Sequence, residues 1–238
     1  MKQEKLTFGA KVMEYFGAIE PGWALPEGVE LLFPYDNPET LAAMRRFYMQ
    51  YYSDTRPRTF LFGINPGRFG AGITGVPFTD PIRLAEDCGI ENVFQKKAEL
   101  SSQFVYEVVH GYGGPEAFYR DFYITSICPL GFTRDGKNYN YYDDRQLEKA
   151  VEPHIIDNIL RQKAIGALEE TAVCLGEGQN YKYFMKINER HGFFKTIVPL
   201  PHPRWVMQYR RKRMEEFRDR YLATLDEARE QKTNLQKG

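Results

Sequence analysis

Two short stretches of this sequence carry side chains that could do chemistry, Gly63-Ile-Asn-Pro-Gly67 and Pro201-His-Pro-Arg204. The Asn65 amide can hold a water or read the edge of a flat ring, but it cannot take up a proton near neutral pH. Any reaction it serves must therefore tolerate a weakly activated nucleophile. Hydrolysis of a glycosidic bond through an oxocarbenium-like state does so, because most of the barrier lies in expelling the leaving group. His202 stands between two prolines that fix the backbone, a setting suited to aiming an imidazole at charge developing on that leaving group. Phe78 closes the loop that Asn65 opens and has a face able to stack on a planar ring. His110, His154 and His191 fall in or beside expected helices with no partner motif and read as surface or core residues.

Such residues need a frame. Runs rich in β-branched and aromatic residues at 59–62, 122–125, 172–175 and 196–198 predict buried strands. Helices are expected over 38–51, from the Asp80-Pro81 cap, from Ser101-Ser102 to Gly111, and over 143–163 with Pro153 inside it. A last helix over 204–225 would turn Met214, Phe217, Tyr221 and Leu225 inward. Alternation of strand and helix implies a three-layer α/β/α sandwich around a central four-stranded parallel sheet. Ligands of such sheets bind beyond the carboxyl ends of the strands, where the Asn65, Ser126, Gly176 and His202 segments follow their strands. One domain is expected over 1–225, with 226–238 a polar, frayed tail.

Other chemistries fit less well. Gly70-Ala-Gly-Ile-Thr-Gly75 has the spacing of a dinucleotide fingerprint, but the strand ends well before Gly70 and Pro77 stops a helix from running on through Gly75. The glycines more simply let backbone pass close to something flat or charged. Cys88, Cys128 and Cys174 lie far apart with no paired spacing, so they read as buried fillers, and no metal or cofactor is expected. Cys128 follows a strand but has no histidine near it in sequence to activate it. Charges at the amino terminus stand where a secretory leader would be apolar, and no apolar run could span a bilayer, which together point to a cytoplasmic chain with no membrane partner. Net charge is zero, with 32 basic and 32 acidic residues, yet Arg204, Arg210, Arg211, Lys212, Arg213, Arg218 and Arg220 cluster behind the histidine motif. A solvated helix face would explain that cluster; its place beside the histidine favours phosphate contact.

The run from Gly63 to Phe78 resembles, almost position for position, the first motif of the single-strand-selective monofunctional uracil-DNA glycosylases. Cys128-Pro-Leu130 and His202-Pro203 resemble that family's next landmarks in the same order, so the likeness covers roughly residues 30–222. The resemblance implies that Asn65 positions the attacking water, Phe78 stacks on a flipped base and His202 bonds the base oxygen where charge develops. The base pocket would be lined by Gly63, Ile64, Gly67, Phe78 and Ser126. DNA, single- or double-stranded, would meet Arg68, Pro203, Arg204, Trp205, Arg210 and Arg211, with the protein acting as a monomer. Two departures stand out. The family carries a base-reading asparagine where this chain has Ser126, which is too short for paired amide contacts. The loop after His202-Pro203 is two residues shorter, leaving Arg204 or Trp205 as the plug that enters the helix. A sister branch of that family, acting on uracil with xanthine and hypoxanthine as further candidate bases, is the expected identity; a non-catalytic nucleic-acid reader on the same fold is the rival.

Overall fold

A computed structural model describes residues 5–235. The expectation of no leader rests partly on residues 1–4, and part of the tail is 236–238; both lie outside the described residues. The chain opens with α1 (Phe8–Gly17), β1 (Val29–Leu32), α2 (Pro38–Tyr51) and β2 (Arg58–Gly63). There follow α3 (Ala71–Thr74), α4 (Pro81–Glu86), α5 (Leu100–Gly111), α6 (Pro115–Asp121) and β3 (Phe122–Ser126). A hairpin, β4 (Gly131–Arg134) and β5 (Lys137–Tyr139), leads into α7 (Arg145–Gly166) and β6 (Ala167–Leu175). The chain ends with α8 (Gln179–His191), β7 (Thr196–Leu200), α9 (Pro203–Tyr209) and α10 (Met214–Leu235).

The four expected strands form one parallel sheet in the order β3-β2-β6-β7. Every residue of β2 and β3 is buried, as a sheet covered on both faces requires. Phe60, Phe62 and Tyr123 turn to one face, where Phe8 of α1 packs on Phe60 and Tyr123 and Phe184 of α8 packs on Phe62. Leu61, Ile124 and Val173, one register step away, point to the other. The helices gather in two groups, α1 with α2 and α7, and α5 with α9 and α10. Among the described residues no helix is long and apolar enough to cross a membrane.

Several local features follow from single residues. Asn37 caps α2 through Glu39 and Thr40 N–H, and Asp80 caps α4 through Ile82 and Arg83 N–H, both with proline in the first turn. Arg58 is wholly buried between the rings of Phe8 and Tyr52, its guanidinium held by Asp54 and by the Tyr119 carbonyl. Burial of that charge is tolerable only because its donors are so fully engaged.

The expected single helix over 204–225 is instead two, α9 and α10, joined by a tight turn at Arg211–Arg213. Between Met207 and Met214 the one large apolar residue, Tyr209, is exposed, and Arg210, Arg211, Lys212 and Arg213 that follow are like charges with nothing to hold that stretch against the core. From Met214 the inward stripe resumes, with Tyr221 and Leu225 buried. Helix α10 runs on through Asp226 to Leu235, burying Ala228, where a frayed tail is expected. Helices α1 and α6 and a second sheet, antiparallel in the order β1-β4-β5, were not expected from the sequence.

Candidate active site

The carboxyl ends of the parallel strands open on a single cleft. Gly63 pairs with Ser126 at the last rung between β2 and β3, and the Ile127 and Cys128 N–H groups donate to the Gly63 and Ile64 carbonyls, each at 3.0 Å. On the other side Leu175 pairs with Leu200, so the chain after β7 emerges beside that after β6. Ile64, Asn65, Gly67, Phe78, Ser126 and His202 all line the resulting cavity of about 620 Å³. Gly63 does not; it lies beneath the Phe78 ring.

Asn65 is held by a part of the fold that sequence reasoning missed. Its Nδ2 donates to the Tyr139 carbonyl at 3.3 Å, and its Oδ1 accepts the Tyr141 N–H at 3.3 Å. These groups flank the end of β5. The β4–β5 hairpin turns on Asp135-Gly136, both at positive φ, 51° and 66°, the geometry that an Asp-Gly turn favours. That dipeptide was the available signal. Gly131 of the hairpin packs on the Pro66 carbonyl so closely that no side chain would fit there.

Phe78 adopts φ 53°, rare for a residue with a side chain and costing on the order of 1–3 kcal/mol. The loop is stitched to bear it. Ser102 Oγ donates to the Phe78 carbonyl at 2.8 Å, and Thr74 Oγ1 donates to the Thr79 carbonyl at 2.6 Å. The ring lies 6.0 Å from the His202 ring, centroid to centroid.

His202 is the N-cap of α9, and its Nδ1 accepts the Arg204 N–H at 3.1 Å. An accepting Nδ1 carries no proton, so the neutral ring bears its hydrogen on Nε2. Desolvation in the cleft wall, aided by the Arg204 charge, lowers the imidazole to about 4. Part of the ring nonetheless borders the open cavity. Near neutral pH the cleft thus holds a neutral N–H donor and a fixed amide. Cys128 is fully buried, and burial pushes its thiol up, away from nucleophilic use.

The expected DNA contacts divide. Arg204 and Trp205 line the cleft, and Trp205 packs edge-on against Phe217 with the Arg210 guanidinium 4.8 Å from its ring centre. Pro203 is buried as the first residue of α9, so it shapes the turn and offers no surface to DNA. Arg68 borders the cleft but donates to the Gly136 carbonyl and lies over Phe69. Arg210 and Arg211 are exposed and stand outside the cavity wall. Further along the basic run, Arg213 pairs with Glu216, Arg218 with Asp219 and Arg220 with Glu177.

The cleft also holds residues that carried no motif: Glu99 before α5, Asn138 and Tyr142 around the hairpin, Asn180 of α8 and Tyr209 of α9. Tyr209, 59% exposed, is the most open aromatic among them. The described residues contain no cluster of three or more His, Cys, Asp or Glu side chains that could hold a metal ion.

A family description reading "Uracil DNA glycosylase superfamily" matches residues 49–226. Among solved structures, that of wild-type SMUG2 from Pedobacter heparinus is similar at 43% identity and a TM-score of 0.91, over 94% of this chain and 99% of that one. With the sequence matched across the whole sheet and its cleft, and the fold matched over nearly its full length, this chain belongs to the uracil DNA glycosylase superfamily.

Proposed function

We propose that the protein is a monofunctional DNA glycosylase that takes uracil, and also xanthine and hypoxanthine, out of DNA by hydrolysis and so begins base excision. The observation that carries this reading is the Arg204 N–H bond to His202 Nδ1, which leaves a neutral imidazole with its proton on Nε2, in the cavity wall shared with Asn65 and Phe78. A base flipped from the strand stacks on Phe78. As the bond between C1′ and the base breaks, its electron pair passes to the base, and charge gathers on a base oxygen. The Nε2–H group donates to that oxygen without needing to reorganise. A water held by the Asn65 amide adds to C1′ and releases a proton to solvent, leaving an abasic site and the free base. The protein does this as a monomer, with single- or double-stranded DNA crossing the face that carries Arg204 and Tyr209.

Oligonucleotides carrying uracil, xanthine or hypoxanthine, single- and double-stranded, test the reading when abasic sites are revealed with alkali. Release of at least one base well above that of an Asn65→Ala, His202→Ala double variant is expected, and no covalent adduct should be trapped by borohydride. No release from any substrate overturns it. Ser126 supports a second reading, since its hydroxyl cannot make an amide's paired contacts: a non-catalytic reader of damaged DNA. Tight lesion binding without release selects that one.

A further inference from the structure

The Glu99 carboxyl has no task in the reaction above, yet it stands in the same cavity wall as Asn65, Ser126 and His202. Its backbone is fixed by the loop that carries Phe78. The Glu99 N–H donates to Oδ2 of Asp80 at 2.8 Å, and the Asp80 N–H donates at 3.0 Å to Ser102 Oγ, the hydroxyl that holds the Phe78 carbonyl. The start of the Glu99 side chain is therefore tied to the loop of the stacking ring. The carboxyl rests on the Gly67–Gly70 turn, where a Cβ on Gly70 would collide with Oε2 and one on Gly67 would sit 3.5 Å from Oε1. Of the glycines in the Gly70–Gly75 run, Gly70 thus makes its close approach to a carboxyl of the same chain, whereas Gly72 meets the Gly67 carbonyl and Gly75 the Met44 side chain.

Among the described residues this carboxyl makes no hydrogen bond and no ion pair. Half-buried in the wall of the cavity, the carboxyl is free to meet a ligand there. Desolvation, with Asp80 reinforcing it and Arg204 opposing it, raises Glu99 to about 7. Neither Arg68, which donates to the Gly136 carbonyl, nor Lys97, which lies over the Phe69 ring, pairs with it. The acid form, which has an O–H to donate, is thus well populated near neutral pH.

We propose that Glu99 is a specificity-determining residue whose carboxyl hydrogen-bonds the flipped base at the carbonyl oxygen that deamination creates. Deamination replaces an amine with a carbonyl oxygen in uracil, hypoxanthine and xanthine alike. A donor at this place rewards that oxygen, and it supplies a contact to the base that Ser126 is too short to make. The inference rests on the glycosylase reading.

Its test compares wild type, Glu99→Gln and Glu99→Ala on the three lesions between pH 6 and 9, with melting temperature followed for each. Glu99→Ala should lose about 5- to 100-fold in kcat/KM, by a factor that differs among lesions. Wild type should lose activity as pH rises through about 7. Glu99→Gln keeps a donor at every pH and should show no such fall. Variants within twofold of wild type at every pH overturn the proposal. So do equal losses on all lesions in both variants, which would make Glu99 a prop for the glycine turn. If wild type itself releases no base, the glycosylase reading has failed; with an active wild type, only the role of Glu99 is at stake.

Discussion

The Phe78 ring lies over Gly63 so closely that a Cβ on Gly63 would come within 2.8 Å of it. The last residue of the central strand is thus a floor for the ring on which the base is to stack. Gly63→Ala should push that ring into the cleft and lower kcat/KM by about tenfold, since a base–aromatic stack contributes roughly 1–3 kcal/mol. Single-turnover excision by Gly63→Ala and Phe78→Ala checks this. Similar losses in both are expected, and a wild-type rate for Gly63→Ala would show that the ring's position does not matter.

His202 should act as a neutral donor over an unusually wide range. Its folded value of about 4 lies below the ordinary value of 6.5, so as pH falls the unfolded chain takes up this proton first. The stability linked to this group is whole above about 6.5 and is lost as pH falls towards 4. His202→Asn should lose less stability than wild type over that window in urea titrations. In the wild type, kcat should show no acid limb from His202 between pH 7 and 5. His202→Ala should slow turnover by about 10²–10³-fold. An inflection in wild-type kcat near 6.5 that vanishes in His202→Ala would refute the neutral-donor assignment.

Much of this site could be read in the sequence because the sheet delivers it. Parallel strands place whatever follows them at one edge, so finding four buried runs was enough to bring Asn65, Ser126 and His202 together. Residues that arrive by tertiary packing left weaker traces. Glu99 enters from a helix start with no motif of its own, placed in the cleft by its bond to Asp80 and its contact with Gly67 and Gly70. Asn65 is oriented by a hairpin far later in the chain, whose Asp-Gly turn could have been noticed but whose partner could not. The basic run misled in the opposite sense. Its spacing fits a helix, but its charges do not, and several of them pair with nearby acids.

That pairing yields a graded expectation for DNA binding. Arg211 and Lys212 are exposed and make no ion pair among the described residues, whereas Arg213 is committed to Glu216 at 2.7 Å. Removing both Arg211 and Lys212 should lower the slope of log K against log salt by about 1.4 to 1.8, two phosphate contacts' worth. Arg213→Ala should change it by less than one contact. Fluorescence anisotropy on an undamaged oligonucleotide across a salt series measures this, and equal slopes for wild type and the double variant would move the phosphate track elsewhere.

The turn of the hairpin should control catalysis through Asn65. Gly136 sits at φ 66°, a conformation that a β-branched residue resists and that asparagine tolerates better than most. Gly136→Val should therefore disturb the turn and, through β5, the Tyr139 and Tyr141 backbone groups that hold the Asn65 amide. Misplacing a catalytic group by about 1 Å can cost about 10²-fold, so turnover should slow by roughly one to two orders of magnitude while KM changes little. Gly136→Asn should recover most of the rate. If Gly136→Val unfolds the chain, Gly136→Ala offers a milder strain and should fall between the two. Full activity in both Val and Ala variants, with melting temperature lowered, would mean that the hairpin supports the fold but does not orient Asn65.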